Sequence, residues 1–155
     1  MTDRHSNNGQ STGVAGLLSA TYHFMMSRIM DRLGTEGYGN LSKTQLHVLA
    51  RFDSSGMTLR QISDRVQISV HIVSNIVNML RTNDYVAEMP SATPADGSKY
   101  MLTGLGQEAL TIVESEQKAV EREWKQHIGE ERLSSIISSL ELLFRATLQA
   151  KGDRD

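Results

Sequence analysis

The chain has 155 residues, of which 39% are apolar and 22% charged, with a formal net charge of -2 and no cysteine. That length can bury a substantial core, the balance is ordinary for a globular domain, and the missing cysteines exclude disulfides, thiolate metal sites and cysteine redox switches. No apolar run approaches the length of a membrane span and Met1–Gly13 is polar throughout its length after the initiator, so a cytoplasmic protein with no membrane association is expected.

In chain order, Met1–Gly13 holds Asn7, Asn8, Gly9 and Gly13 among Ser and Thr and reads as a disordered tail, followed by a single domain over 14–155. Leu18, Tyr22, Met25, Ile29 and Leu33 share one face of a long helix in the segment 14–40, which Gly34, Gly37 and Gly39 end. Leu46, Leu49 and Phe52 form a second stripe after a turn at Asn40.

Thr58 and Gln61 have the spacing of a capping box, and Leu59, Ile62 and Val66 give a short helix its apolar side, which Ile68 closes against the next helix. Ser69 is placed to cap that next helix, Ser69 to Thr82. There Val73, Ile76, Val77 and Leu80 recur at three-to-four spacing and leave His71, Ser74, Asn75 and Asn78 on or near the opposite side. These four offer the hydrogen-bonding groups that base edges in a major groove require, and they equally suit the solvated face of a surface helix. Tyr85-Val86-Ala87 starts a strand and Lys99-Tyr100-Met101-Leu102 returns it, with Pro90 to Ser98 as a breaker-rich turn. Helix, helix, hairpin is the order of a winged helix.

Two further apolar series follow in 104–149: Leu110, Val113, Gln117, Val120 and Trp124, then, after Gly129, Leu133, Ile136, Ile137, Leu140, Leu143, Phe144 and Leu148. That is more apolar surface than a small wing module needs. A homodimer interface built from 14–40 and 104–149 accounts for it, and an antiparallel hairpin packed within one subunit is the alternative.

Over roughly Leu17 to Leu148 the chain resembles the MarR family of bacterial transcriptional regulators. The resemblance is carried by the order and spacing of LSKTQLHVL at Leu41 to Leu49, TLRQISDRVQIS ending at Ser69, VSNIVNML at Val73 to Leu80 and LTGLG at Leu102 to Gly106. It implies a mainly α fold with a small β-wing, a winged helix-turn-helix over 57–103 flanked by long dimerisation helices. It also implies a ligand-responsive homodimer that represses transcription from a palindromic site in double-stranded DNA. The Ser69 to Thr82 helix would enter the major groove and the Pro90 to Ser98 turn the neighbouring minor groove. Bases or nearby phosphates would be contacted by Ser69, His71, Ser74, Asn75 and Asn78. Arg81 and Lys99 would touch the backbone, with Arg60 and Arg65 as weaker candidates.

The chain departs from the family where charge matters. Pro94, Ala95 and Asp96 stand at the positions of its Asp-Arg-Arg wing signature, and Asn75 stands where an arginine is common. Between Met57 and Leu102, Arg60, Arg65, Arg81 and Lys99 are cancelled by Asp64, Asp84, Glu88 and Asp96. Since lysine and arginine carry most non-specific affinity for DNA, the composition predicts a binder that depends on specific contacts, or one that has given DNA up.

Tyr22, His23, Met26, Met30 and Tyr38 suggest a site for a small aromatic or lipophilic effector, because methionines adapt to irregular lipophilic guests. The alternative is that they pack as core. No cofactor, metal ligand or catalytic residue is assigned: the five histidines are scattered, and there is no phosphate-cradling glycine loop, serine elbow or HExxH. The competing functional reading is a fold that has lost DNA binding and uses its helical pocket for small-molecule binding or for acid-base work by Tyr22, His23, Tyr38 or His47. An interaction protein that does not bind DNA is a third.

Overall fold

A computed structural model of the chain describes residues 13–89 and 97–152. The expected N-terminal tail up to Thr12 and the wing positions Pro90 to Asp96 lie outside the described residues. The chain forms two compact units, Met1–Val113 and Glu114–Asp155.

The first unit begins with α1, Val14–Thr35, whose burial changes along its length. Met26, Ile29 and Leu33 are buried, whereas Val14, Leu17, Leu18, Tyr22 and Phe24 are exposed. The helix ends where Gly37 adopts a φ of 94°, a left-handed conformation open to glycine. Helix α2, Lys43–Leu49, starts on a capping box in which the Ser42 hydroxyl accepts from the Gln45 amide and the Gln45 side chain accepts from the Ser42 amide.

Thr58 and Gln61 make the same reciprocal pair at the start of α3, Leu59–Val66, as the sequence spacing leads one to expect. The turn into α4, Val70–Thr82, passes through Gln67 at φ 57°. The Ser63 hydroxyl secures this turn by donating to the Ile68 carbonyl at 2.6 Å. Ser69 occupies the N-cap position but its side chain makes no capping hydrogen bond. Val73, Ile76, Val77 and Leu80 are the buried stripe of α4, which packs on α2, α3 and the wing.

The wing is a three-stranded antiparallel sheet where sequence pattern gives two strands. β2, Val86–Met89, and β3, Lys99–Leu102, form the hairpin, with Val86 opposite Leu102 and Met89 opposite Lys99. The extra strand β1, Met57–Thr58, pairs with the other edge of β3 through Met57 and Tyr100. A two-residue strand has no periodicity to read, and its pairing is made with residues some forty positions away. Tyr85 does not open β2; it is buried ahead of the strand, and its hydroxyl donates to Asn40 Oδ1 at 2.5 Å.

Helix α5, Gly104–Ile128, begins in the first unit and ends in the second. The second unit continues through Gly129, at φ 86°, into α6, Glu130–Gly152. Lys125 and Glu130 bridge this turn at 2.8 Å. Along α6 the large apolar side chains Ile136, Ile137, Leu140, Leu142, Leu143, Phe144 and Leu148 are all exposed. Among the described residues no helix is long and apolar enough to cross a membrane.

Candidate nucleic-acid interface

At about 3.6 residues per turn, burying Val73, Ile76, Val77 and Leu80 forces His71, Asn75, Asn78 and Thr82 to the far side of α4. His71, Asn75 and Asn78 are exposed there, and their side chains have no hydrogen-bond partner among the described residues. Ser74 is half-buried on the flank toward the wing, and Ser69, with its hydroxyl unused for capping, is exposed at the helix start. Of the residues expected to read bases, the fold therefore brings His71, Asn75 and Asn78 onto one strip and sets Ser69 and Ser74 at its margins.

A cleft of about 500 Å³ opens beside the start of α4, lined by Thr58, Leu59, Arg60, Val70, Gly97, Ser98 and Tyr100. It separates the first turns of α3 and α4 from the base of the wing. Arg60 on its wall and Lys99 at the start of β3 are both exposed and have no ion-pair partner among the described residues.

The other two cations of the module are engaged. Arg81 Nη1 lies 2.6 Å from Glu88 Oε2 on β2. Arg65 reaches Asp53 Oδ2 at 2.8 Å and the Arg51 carbonyl at 3.0 Å, which fixes the loop after α2 against α3. The Asp53 carboxyl is held below its ordinary value by the Ser55 hydroxyl and amide and by the Arg65 guanidinium, against a smaller opposing effect of burial. Of the cations ranked as backbone contacts, Arg81 is paired with a carboxylate, while Arg60, ranked below it, has no ion-pair partner among the described residues. Nothing local identifies Glu88 as the partner, because it comes alongside Arg81 only when β2 folds back on α4.

The residues suggested for an effector are placed differently from one another. Met26 is 9% exposed and belongs to the hydrophobic core of the first unit, while Met30 and Tyr38 are half-buried against that core. Tyr22 and His23 are exposed, their rings edge to face with centroids 5.9 Å apart, and His23 Nδ1 donates to the Ser19 carbonyl at 2.7 Å. The Tyr38 hydroxyl donates to Glu108 Oε2 at 3.0 Å, which raises its pKa above the ordinary phenol value. Neither the cleft beside α4 nor a smaller one lined by Phe52, Asp53, Ser54, Met101, Leu102 and Gln107 includes any of these five residues.

An exposed residue of α4 that sequence analysis did not single out is Ile72. It is 50% exposed, three residues before Asn75 and off the buried stripe. Projecting α4 on a helical wheel finds it, since position 72 falls roughly 90° from the centre of the buried side.

No family model matches the sequence, and no curated protein matches it. Solved structures do. A MarR family transcription regulator superposes with a TM-score of 0.72 at 15% identity, over 88% of this chain and 89% of that one. FabT of Streptococcus pneumoniae in complex with DNA gives a TM-score of 0.69 at 16% identity, over 86% and 96% of the two chains. MepR of S. aureus bound to ethidium bromide gives 0.59 at 17%, over 87% and 96%. The chain has the fold of the MarR-type winged-helix regulators.

Proposed function

We propose that the protein is a ligand-responsive transcriptional regulator that binds duplex DNA as a homodimer, with α4 as the reading helix and repression from a palindromic site as its mode. The observation that carries this reading is the strip on α4 where His71, Asn75 and Asn78 stand exposed, with no side-chain hydrogen-bond partner among the described residues, opposite a buried stripe. Asparagine can hold adenine through its N6 and N7, and a helix with this profile suits a major groove. The wing and the cleft beside Arg60 flank the strip on one side, where Arg60 and Lys99 are available for phosphates. That one protein of this fold is bound to DNA supports the same reading.

The homodimer is supported by the apolar side chains that each unit leaves exposed: Val14, Leu17, Leu18, Tyr22 and Phe24 on α1, and the series from Ile136 to Leu148 on α6. A second copy covering these faces removes them from water and sets two reading helices at a fixed spacing, as a palindromic site requires. A small aromatic or lipophilic effector, of the kind MepR holds, would act by binding one spacing of those helices better than another. Exposed Tyr22 and His23, half-buried Met30 and Tyr38, and buried Met26 are the residues proposed to meet it.

A second reading, small-molecule binding without DNA, is favoured by the neutral charge of 57–102. A gel shift with the DNA flanking the protein's own gene, next to a thermal-shift screen of aromatic and lipophilic compounds, separates the two. Retardation of flanking DNA that is reversed by a stabilising compound is the expected result. Stabilisation by compounds with no retardation of any duplex at low salt selects the second reading.

A further inference from the structure

Most of what α4 presents to solvent is polar, but one flank is not. Ile72 is 50% exposed and Met79 is 55% exposed. Seven residues apart, they lie on the same side of the helix, away from the flank where Arg81 meets β2. Asn75 stands between them, one turn from each. A branched hydrocarbon side chain therefore sits beside a carboxamide that has no partner among the described residues, on the surface proposed to face DNA. Among base pairs, one presents that combination in the major groove: adenine offers N7 and N6 to an amide, and its thymine partner offers a C5 methyl to an apolar group.

We infer that Ile72 is a specificity-determining residue that packs on thymine C5 methyls while Asn75 holds adenine, so that the site contains A·T pairs recognised by their methyl groups. The inference rests on the reading of α4 as the DNA-contacting helix. Burying a methyl against Ile72 also adds affinity that requires no phosphate neutralisation and is insensitive to salt, which suits a module with no net positive charge.

The test uses the full-length protein and a duplex from the DNA flanking its own gene, compared with the same duplex carrying deoxyuridine for thymidine. That replacement deletes the methyl and leaves every base-edge hydrogen-bonding group in place. Wild-type protein should bind the deoxyuridine duplex about fourfold more weakly for each methyl contacted. Ile72→Ala should bind the thymidine duplex more weakly and discriminate little between the two, whereas Asn75→Ala should keep the discrimination at lower affinity. Equal wild-type affinity for both duplexes overturns the inference and leaves the DNA-reading function standing. Discrimination that survives in Ile72→Ala also overturns it, because the methyl contact then comes from elsewhere. Binding to neither duplex overturns the inference and the function together. The wild-type comparison needs no variant to fold, and Ile72 lies outside the core.

Discussion

The Arg81 guanidinium donates to Glu88 Oε2 at 2.6 Å, from the last turn of α4 to strand β2. This bond does two things. It ties β2 to the end of α4, and it places the positive charge of Arg81 against the protein's own carboxylate.

Glu88→Gln releases that charge. Both side chains are substantially exposed, so the pair contributes at most about 1 kcal/mol and the melting temperature should move little. Affinity for duplex DNA at low salt should rise, and the salt dependence should steepen by up to about one unit per protomer. An unchanged slope in a salt titration would mean that Arg81 does not reach a phosphate even when free.

Gly106→Ala should be destabilising although the residue sits in a helix. A Cβ there would lie 2.3 Å from the Tyr85 carbonyl oxygen, which is backbone and cannot swing aside. The Gly106 amide also accepts no alternative placement cheaply, since it donates to Thr103 Oγ1 at the start of α5. The cost expected from denaturant midpoints is about 1–3 kcal/mol. A stability within about 0.5 kcal/mol of wild type would show that the start of α5 shifts freely against the Tyr85 backbone.

Asp53 gives the fold a weak acid dependence. Its native carboxyl titrates below the ordinary value, chiefly because the Ser55 hydroxyl donates to it. Its contribution is complete above about pH 3.9, the unfolded value, and is lost as the pH falls through the lower native one. Melting temperatures of Asp53→Asn across this range should be lower than wild type near neutrality and converge with it in acid. Parallel curves would remove Asp53 and its partners from the acid limb.

Leu140→Lys combined with Phe144→Lys tests the dimer. Both side chains are exposed on α6, at 40% and 65%, so the subunit fold should persist while charge enters the proposed interface. Sedimentation should move from dimer to monomer at micromolar concentration. A double variant that remains dimeric would exclude α6 from the contact.

Much of the first unit was legible in the sequence because its signals are local. The Thr58–Gln61 capping box, the buried stripe of α4 and the strand Lys99–Leu102 all depend on residues within a turn or a pleat of one another. What escaped depends on distant pairing. β1 is a strand only because Met57 meets Tyr100, and Arg81 is occupied only because β2 returns beside α4. The Met and Tyr series of α1 was readable as a stripe, but not where along it burial begins, since that is set by what packs against Met26. The exposed polar residues of α4 were legible as a face; Ile72 was not, because an apolar residue next to Val73 looks like core until α4 is turned on its axis.

Whether α4 reads DNA is decided by titrating wild type and Asn75→Ala against the flanking duplex and a random duplex over a range of salt. Asn75→Ala should lose about 1–3 kcal/mol on the flanking duplex and little on the random one, with both salt slopes unchanged, because a neutral side chain releases no counterion. Equal losses on the two duplexes, or no binding of wild type to either at low salt, would contradict DNA reading by α4.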